Sequence, residues 1–229
     1  MNINTQKRSL LKWFFTSVAP ILLVVLVVVA IALTNVKSGT YFSGWDNMHP
    51  EFNIVEYTKR MISGAWVEFQ GTGAPASQSQ LAEIPRLPFL YLLKLIVPDN
   101  LNRYSFHLLM FLIGGIGTYF YIQKIWLTKK KDVFSNWIAS LGAIYYLLNI
   151  VTLQQFYISF ELFAVQFAFL PFVLISIHDL GEKVTVKSIF KFIVVQILIT
   201  PYAYVPTIFY FTSIFFVCYG FFVNLQKIN

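Results

Sequence analysis

Apolar residues fall into long uninterrupted runs along this chain, with none of the strict alternation that marks a half-buried strand. The first run covers residues 13–33, close to the 20 or so residues a helix needs to cross a hydrocarbon core. Further runs occupy residues 104–127, 134–153, 162–177, 192–200 and 207–223, separated by polar stretches. The fifth is too short to cross unless neighbouring residues extend it. The pattern predicts an all-α, polytopic membrane protein with about six transmembrane helices. It reads as a single transmembrane domain over 1–229, with a first span at 13–33, a loop at 35–102 and the remaining spans in 104–229.

The loop is the one long polar stretch, yet it carries Trp45, Phe52, Tyr57, Trp66 and Phe69. That is too apolar for a solvated coil. Pro50 suits the first turn of a helix, so the pattern predicts a helix over 51–63. Ile54, Tyr57 and Met61 share one face of it, and Glu56, Lys59, Arg60 and Ser63 share the opposite one. Glu56 and Arg60 are spaced to pair at i, i+4. An amphipathic helix next to a membrane lies in the interface. Residues 71–75 are turn material. The proline-bounded stretch 85–98 is too short to cross and predicts a second interfacial or re-entrant helix. Arg86, at its start, is placed to snorkel toward lipid headgroups.

Composition sharpens the class. Hydrophobic residues make up 57% of the 229 and charged residues only 12%, against about 25% charged in an ordinary soluble domain. A soluble globule is thereby excluded. The net charge of +7 is not a nucleic-acid signature, because the lysines and arginines cluster at the ends of apolar runs and no nucleic-acid motif accompanies them. Alternating the spans from a cytoplasmic N-terminus puts eleven basic residues inside and six outside. This bias predicts a multi-pass plasma-membrane protein with both termini cytoplasmic and the long loop facing outward. Lys7, Arg8 and Lys12 precede the first run, which lacks a small-residue cleavage site and so reads as a retained signal anchor. Cys218 is the only cysteine, which removes an intrachain disulfide and a thiolate metal site. The sequence has no phosphate-binding P-loop, no dinucleotide glycine fingerprint, no Gly-x-Ser-x-Gly and no His-Glu-x-x-His.

Candidate chemistry concentrates in the loop. Asp46, His49 and Glu51 fall within six positions. A carboxylate here can take the proton of an acceptor hydroxyl, and a nearby helix dipole would help keep it ionised. The competing reading is that Asp46 or Asn47 organises the turn into the helix. Oxygen and imidazole ligands of this kind also suit Mg²⁺ or Mn²⁺, although the spacing matches no specific ligand signature. Lys59, Arg60 and Arg86 offer positive charge for a lipid phosphate. Ionisable residues at membrane depth are costly and default to functional candidates. Glu161, at the outer end of the fourth run, is expected to open into the same outward cavity; the competing reading is an interfacial carboxylate in contact with water. His107 reads as a packing residue. Gly114, Gly115 and Gly117 are small-residue material for close helix packing.

The local string carries a resemblance. Gly44-Trp45-Asp46, Pro50-Glu51, Trp66-Val67-Glu68 with Gly71 and Gly73, and Leu87-Pro88 before an apolar helix are similar to the first loop of large bacterial GT-C membrane glycosyltransferases. The α-(1→3)-arabinofuranosyltransferase-like proteins resemble it most, with YfhO-like proteins next. The resemblance covers residues 41–98 by motif and most of the chain by topology. It implies inverting transfer of a sugar from a polyprenyl-phosphate donor to a cell-envelope glycan or lipid acceptor on the outer face. It implies Asp46 as general base with Glu51 nearby, in a cavity lined by Trp45, His49, Trp66, Glu68 and Glu161. The phosphate role of Lys59, Arg60 and Arg86 rests on chemistry alone. Members of the family have more spans, so the chain is expected to be a fragment of a longer protein or a reduced relative. Two other functions compete. One is a transporter or lipid flippase with Glu161, Gln166 and Gln196 along its path; the other is a non-catalytic membrane assembly subunit.

Overall fold

The computed structural model describes residues 13–37, 39–43, 49–63, 73, 81–127, 133–157 and 160–225. Among these residues there is no strand. Five helices are long and apolar enough to cross a membrane: α1 (Phe14–Asn35), α4 (Asp99–Trp126), α7 (Glu161–Glu182), α8 (Val186–Tyr204) and α9 (Pro206–Leu225). A shorter apolar helix, α5 (Val133–Leu148), stands beside them. The loop contributes α2 (Ile54–Ser63) and α3 (Leu87–Lys94), and α6 (Ile150–Tyr157) follows α5. The chain is an all-α polytopic membrane protein, as its apolar runs predict.

α4 and α7 form the centre. They pack on each other along their length, with α1 and α5 against α4 on one side and α8 and α9 against α7 on the other. α4 and α7 run parallel. Arg103 near the start of α4 pairs with Glu161 at the start of α7, and Lys124 near the end of α4 pairs with Asp179 near the end of α7. At 1.5 Å per residue the two latches lie about 30 Å apart, roughly the thickness of the hydrocarbon core. The two latches therefore stand at opposite ends of the central helix pair.

Glycine brings α4 and α7 together. A Cβ built on Gly114 would meet the Phe167 ring at 2.5 Å and the Phe167 carbonyl oxygen at 3.1 Å. One on Gly117 would meet the Phe172 ring at 2.6 Å. The Phe167 ring cannot yield, because it is stacked on Tyr146 (4.2 Å between centroids) and Phe111 (5.5 Å). Gly114→Ala is therefore expected to destabilise the protein by about 1–3 kcal/mol through overpacking. Gly220→Ala, whose nearest neighbour would sit at 3.4 Å, is expected to be neutral. Thermal unfolding of the two variants in detergent checks the contrast.

Three expected boundaries move. The fifth run is extended backward, because Thr185 accepts a hydrogen bond from Ser188 N and fixes a capped start to α8 ahead of Lys187 and Lys191. The third run, read as one span over 134–153, breaks at Asn149. Its side chain donates to the Tyr146 carbonyl (2.8 Å) and accepts from Thr152 N (3.0 Å), ending α5 and opening α6. The helix expected over 51–63 begins only at Ile54, with Asn53 Oδ1 accepting from Glu56 N at 3.0 Å. Pro50 and Glu51 therefore lie in the turn before it.

Pro171 interrupts the hydrogen-bond ladder of α7. Proline has no N–H, so the carbonyl four residues earlier, that of Phe167, is left without its helical partner. The Tyr146 hydroxyl of α5 donates to that carbonyl at 2.8 Å.

Candidate functional site

The apolar face predicted for α2 is real, and it packs against protein. Ile54, Tyr57 and Met61 are buried in one core with Leu87 and Leu90 of α3, Phe106 and Met110 of α4, and Val165 and Phe169 of α7. α2 and α3 therefore cap the end of the bundle where α4 and α7 begin. What they enclose is charged.

Arg103 is the hub. It is 1% exposed, and its Nε and Nη2 both reach Glu161 Oε1. Its Nη1 donates to the Phe42 carbonyl at 2.8 Å and lies 3.0 Å from His49 Nδ1. The same Nδ1 is 2.8 Å from Glu51 Oε1. One nitrogen cannot accept from Arg103 and donate to Glu51 at once, so only one of these two contacts is a hydrogen bond at a time. Glu51 is buried, and its Oε2 has no hydrogen-bond partner among the described residues.

A second knot adjoins the first. Arg86 Nη2 donates to the Tyr57 hydroxyl and lies 2.9 Å from Glu83 Oε2, to which Tyr57 in turn donates. Arg86 Nη1 is 3.7 Å from Glu161 Oε2, which links the two knots. The guanidinium also faces the rings of Tyr57 and Phe106, at 5.6 and 5.7 Å, within cation–π range. Burial pushes the Tyr57 phenol above its ordinary range, so it stays a neutral donor. Burial disfavours the Arg86 charge, but Glu83, Tyr57, Glu161 and Glu51 together outweigh this and keep it firmly protonated. Two guanidiniums thus face three buried carboxylates, Glu51, Glu83 and Glu161. Tyr57→Phe removes the hydroxyl that joins Arg86 to Glu83 and is expected to cost about 1.5–3 kcal/mol, the scale of a hydrogen bond to a charged group. Chemical unfolding of that variant in detergent measures it.

Of the residues singled out in the sequence, His49, Glu51, Arg86 and Glu161 come together here. Arg86 does not snorkel toward headgroups, because Glu83 and Glu161 supply nearer, desolvated partners. Glu161 does not open to water; it is 1% exposed beneath the loop helices. Lys59 is exposed and 3.8 Å from Glu56, so the i, i+3 pair replaces the expected Glu56–Arg60 pair. Arg60 is half-buried on α2. Trp45, Asp46, Trp66 and Glu68 lie outside the described residues. Among the described residues no group of three His, Cys, Asp or Glu side chains is placed to hold a metal ion. His49 and Glu51, two of the three residues considered for Mg²⁺ or Mn²⁺, bond to each other.

Sequence reasoning missed Arg103, Glu83 and Tyr57. Arg103 was counted only as an outward charge, although an arginine followed four residues later by His107 on an apolar helix is itself a signal. His107 is buried, as expected, with Nδ1 3.2 Å from the Arg103 carbonyl. Beside the cluster, Phe42, Tyr104 and His107 face a cavity of about 220 Å³ whose other walls include Ile31, Leu108 and Phe111. Comparison with protein-family models, with curated proteins and with solved structures finds no match for this chain.

Proposed function

We propose that this chain is the membrane part of a glycosyltransferase that moves a sugar from a polyprenyl-phosphate donor to a glycan or lipid acceptor at the outer face. The observation that carries this reading is the contact of buried Glu51 with the half-buried His49, held against Arg103. A carboxylate with one oxygen on an imidazole and the other free can receive a proton from an acceptor hydroxyl. Asp46 belongs to the short stretch between Phe42 and His49, both of which bond Arg103. Of the two loop carboxylates implied by the GT-C resemblance, Glu51 reaches this guanidinium through His49. The neighbouring cavity has apolar walls on α1 and α4 that suit the isoprenoid part of a donor. Lys59 and Arg60 supply positive charge for its phosphate, while Arg86 acts through Glu83 and Glu161.

In this mechanism the acceptor oxygen attacks the anomeric carbon, its proton passes to the carboxylate, and the lipid phosphate leaves with the bonding electron pair. The test is incubation of membranes containing the protein with labelled polyprenyl-phosphate sugars and envelope acceptors. Label in the acceptor supports the proposal. Lipid scrambling or solute uptake with no transfer would move the assignment to a flippase or transporter.

A further inference from the structure

At the opposite end of the bundle a second charged group surrounds a cleft of about 630 Å³. α4, α7 and α8 meet here. Lys124 of α4 and Lys191 of α8 both bond the Asp179 carboxylate, Lys191 at 2.8 Å. Two ammonium groups share this one carboxylate, and a second carboxylate, the mostly exposed Glu182, also lines the cleft. Both lysines line the cleft together with Gln123 and His178, and His178 Nε2 lies 3.5 Å from Glu182 Oε1. Lys183 and Lys187 follow on the exposed turn into α8, and Lys129, Lys130 and Lys131 come a few residues after Lys124.

The cleft changes character with depth. Phe120 stands one helical turn before Lys124, and Phe172 and Ile175 lie one to two turns before His178. Because α4 and α7 run parallel, all three apolar walls lie on the hydrocarbon side of the cations. A polar mouth at the interface over an apolar wall within the bilayer matches a lipid in its normal orientation, headgroup at the helix ends and acyl chain along α4 and α7. Basic pockets between transmembrane helices bind lipid phosphates in this way.

We infer that the cleft between α4, α7 and α8 is a binding site for the phosphate headgroup of an anionic phospholipid, held by Lys124 and Lys191. This site is about 30 Å from the His49–Glu51 pair, the length of the central helices, and does not depend on the glycosyltransferase reading.

The experiment embeds the protein in nanodiscs of equal phosphatidylglycerol and phosphatidylcholine, releases it gently, and counts retained lipids by native mass spectrometry. Wild-type protein is expected to retain phosphatidylglycerol in preference to phosphatidylcholine. Lys124→Gln with Lys191→Gln should weaken that retention about thirtyfold, the effect of two basic groups at a membrane surface. Asp179→Asn should strengthen it, because both lysines lose their competing carboxylate. That change of opposite sign is one a merely structural role for the three residues does not produce, and it decides the matter if the double variant fails to fold. Equal retention of the two lipids, or weaker phosphatidylglycerol binding by Asp179→Asn, would overturn the site. Displacement of the lipid by millimolar inorganic phosphate would overturn the lipid assignment in favour of a soluble phosphate compound.

Discussion

Glu161→Ala is expected to destabilise the protein by about 3–5 kcal/mol, the cost of leaving a buried charge uncompensated. Glu161 is the acceptor for Arg103 Nε and Nη2 and lies 3.7 Å from Arg86. Without it Arg103 keeps, among the described residues, the Phe42 carbonyl and His49, and a guanidinium with 1% exposure cannot recover water. Glu161 also joins two knots that hold different loop segments, so the effect of its loss should spread to Phe42, His49 and Glu51 and to α2 and α3 together. Replacing both partners, Arg103→Met with Glu161→Leu, removes charge and countercharge at similar volume. Most of the lost stability should return. Unfolding midpoints in detergent, measured for the single and the double variant, check this. A single variant as stable as wild type would show that the pair contributes nothing to the fold.

Loss of a loop carboxylate should have the larger effect on activity. Asp46→Ala is expected to abolish sugar transfer while leaving expression intact, and Glu51→Gln to lower it about 10²–10⁴-fold, the usual contribution of a positioned base. Glutamine keeps an oxygen for His49 but cannot take up a proton. Stability should barely change, because Glu51 Oε2 bonds no described residue. Transfer rates on labelled donor, read beside the thermal midpoint of each variant, separate lost chemistry from lost fold. If both variants keep wild-type rates, the assignment of the base is wrong.

The spans were legible because a hydrocarbon core imposes a length that few other structures need. The face of α2 was legible too, since Ile54, Tyr57 and Met61 are spaced for one side of a helix whatever covers them. What covers them was not. Glu83 and Glu161 are far from Arg103 and from each other in sequence, and their convergence depends on how the loop folds back, which is tertiary information. Local signals consequently pointed elsewhere. A proline-flanked arginine suggests snorkelling, and a glutamate at a span end suggests water. Asn149 was overlooked for the opposite reason: within an apolar run its capping role shows only when the next helix is seen to start there. The lysines at the ends of α4 and α8 were read as a topology signal, whereas the cleft they line depends on α7 lying between them.

The bond from Tyr146 to the carbonyl left open by Pro171 also limits how this molecule can move. A one-turn slide of α7 past α5 would strand that oxygen in hydrocarbon without a donor, a penalty of several kcal/mol. α5 and α7 are therefore pinned to each other at mid-depth, and Glu161, on the same rigid helix, keeps a constant height in the bilayer. α2 and α3 are tied to that same helix through Arg86 and Glu161, so the loop end of the bundle takes its position from a span that cannot slide.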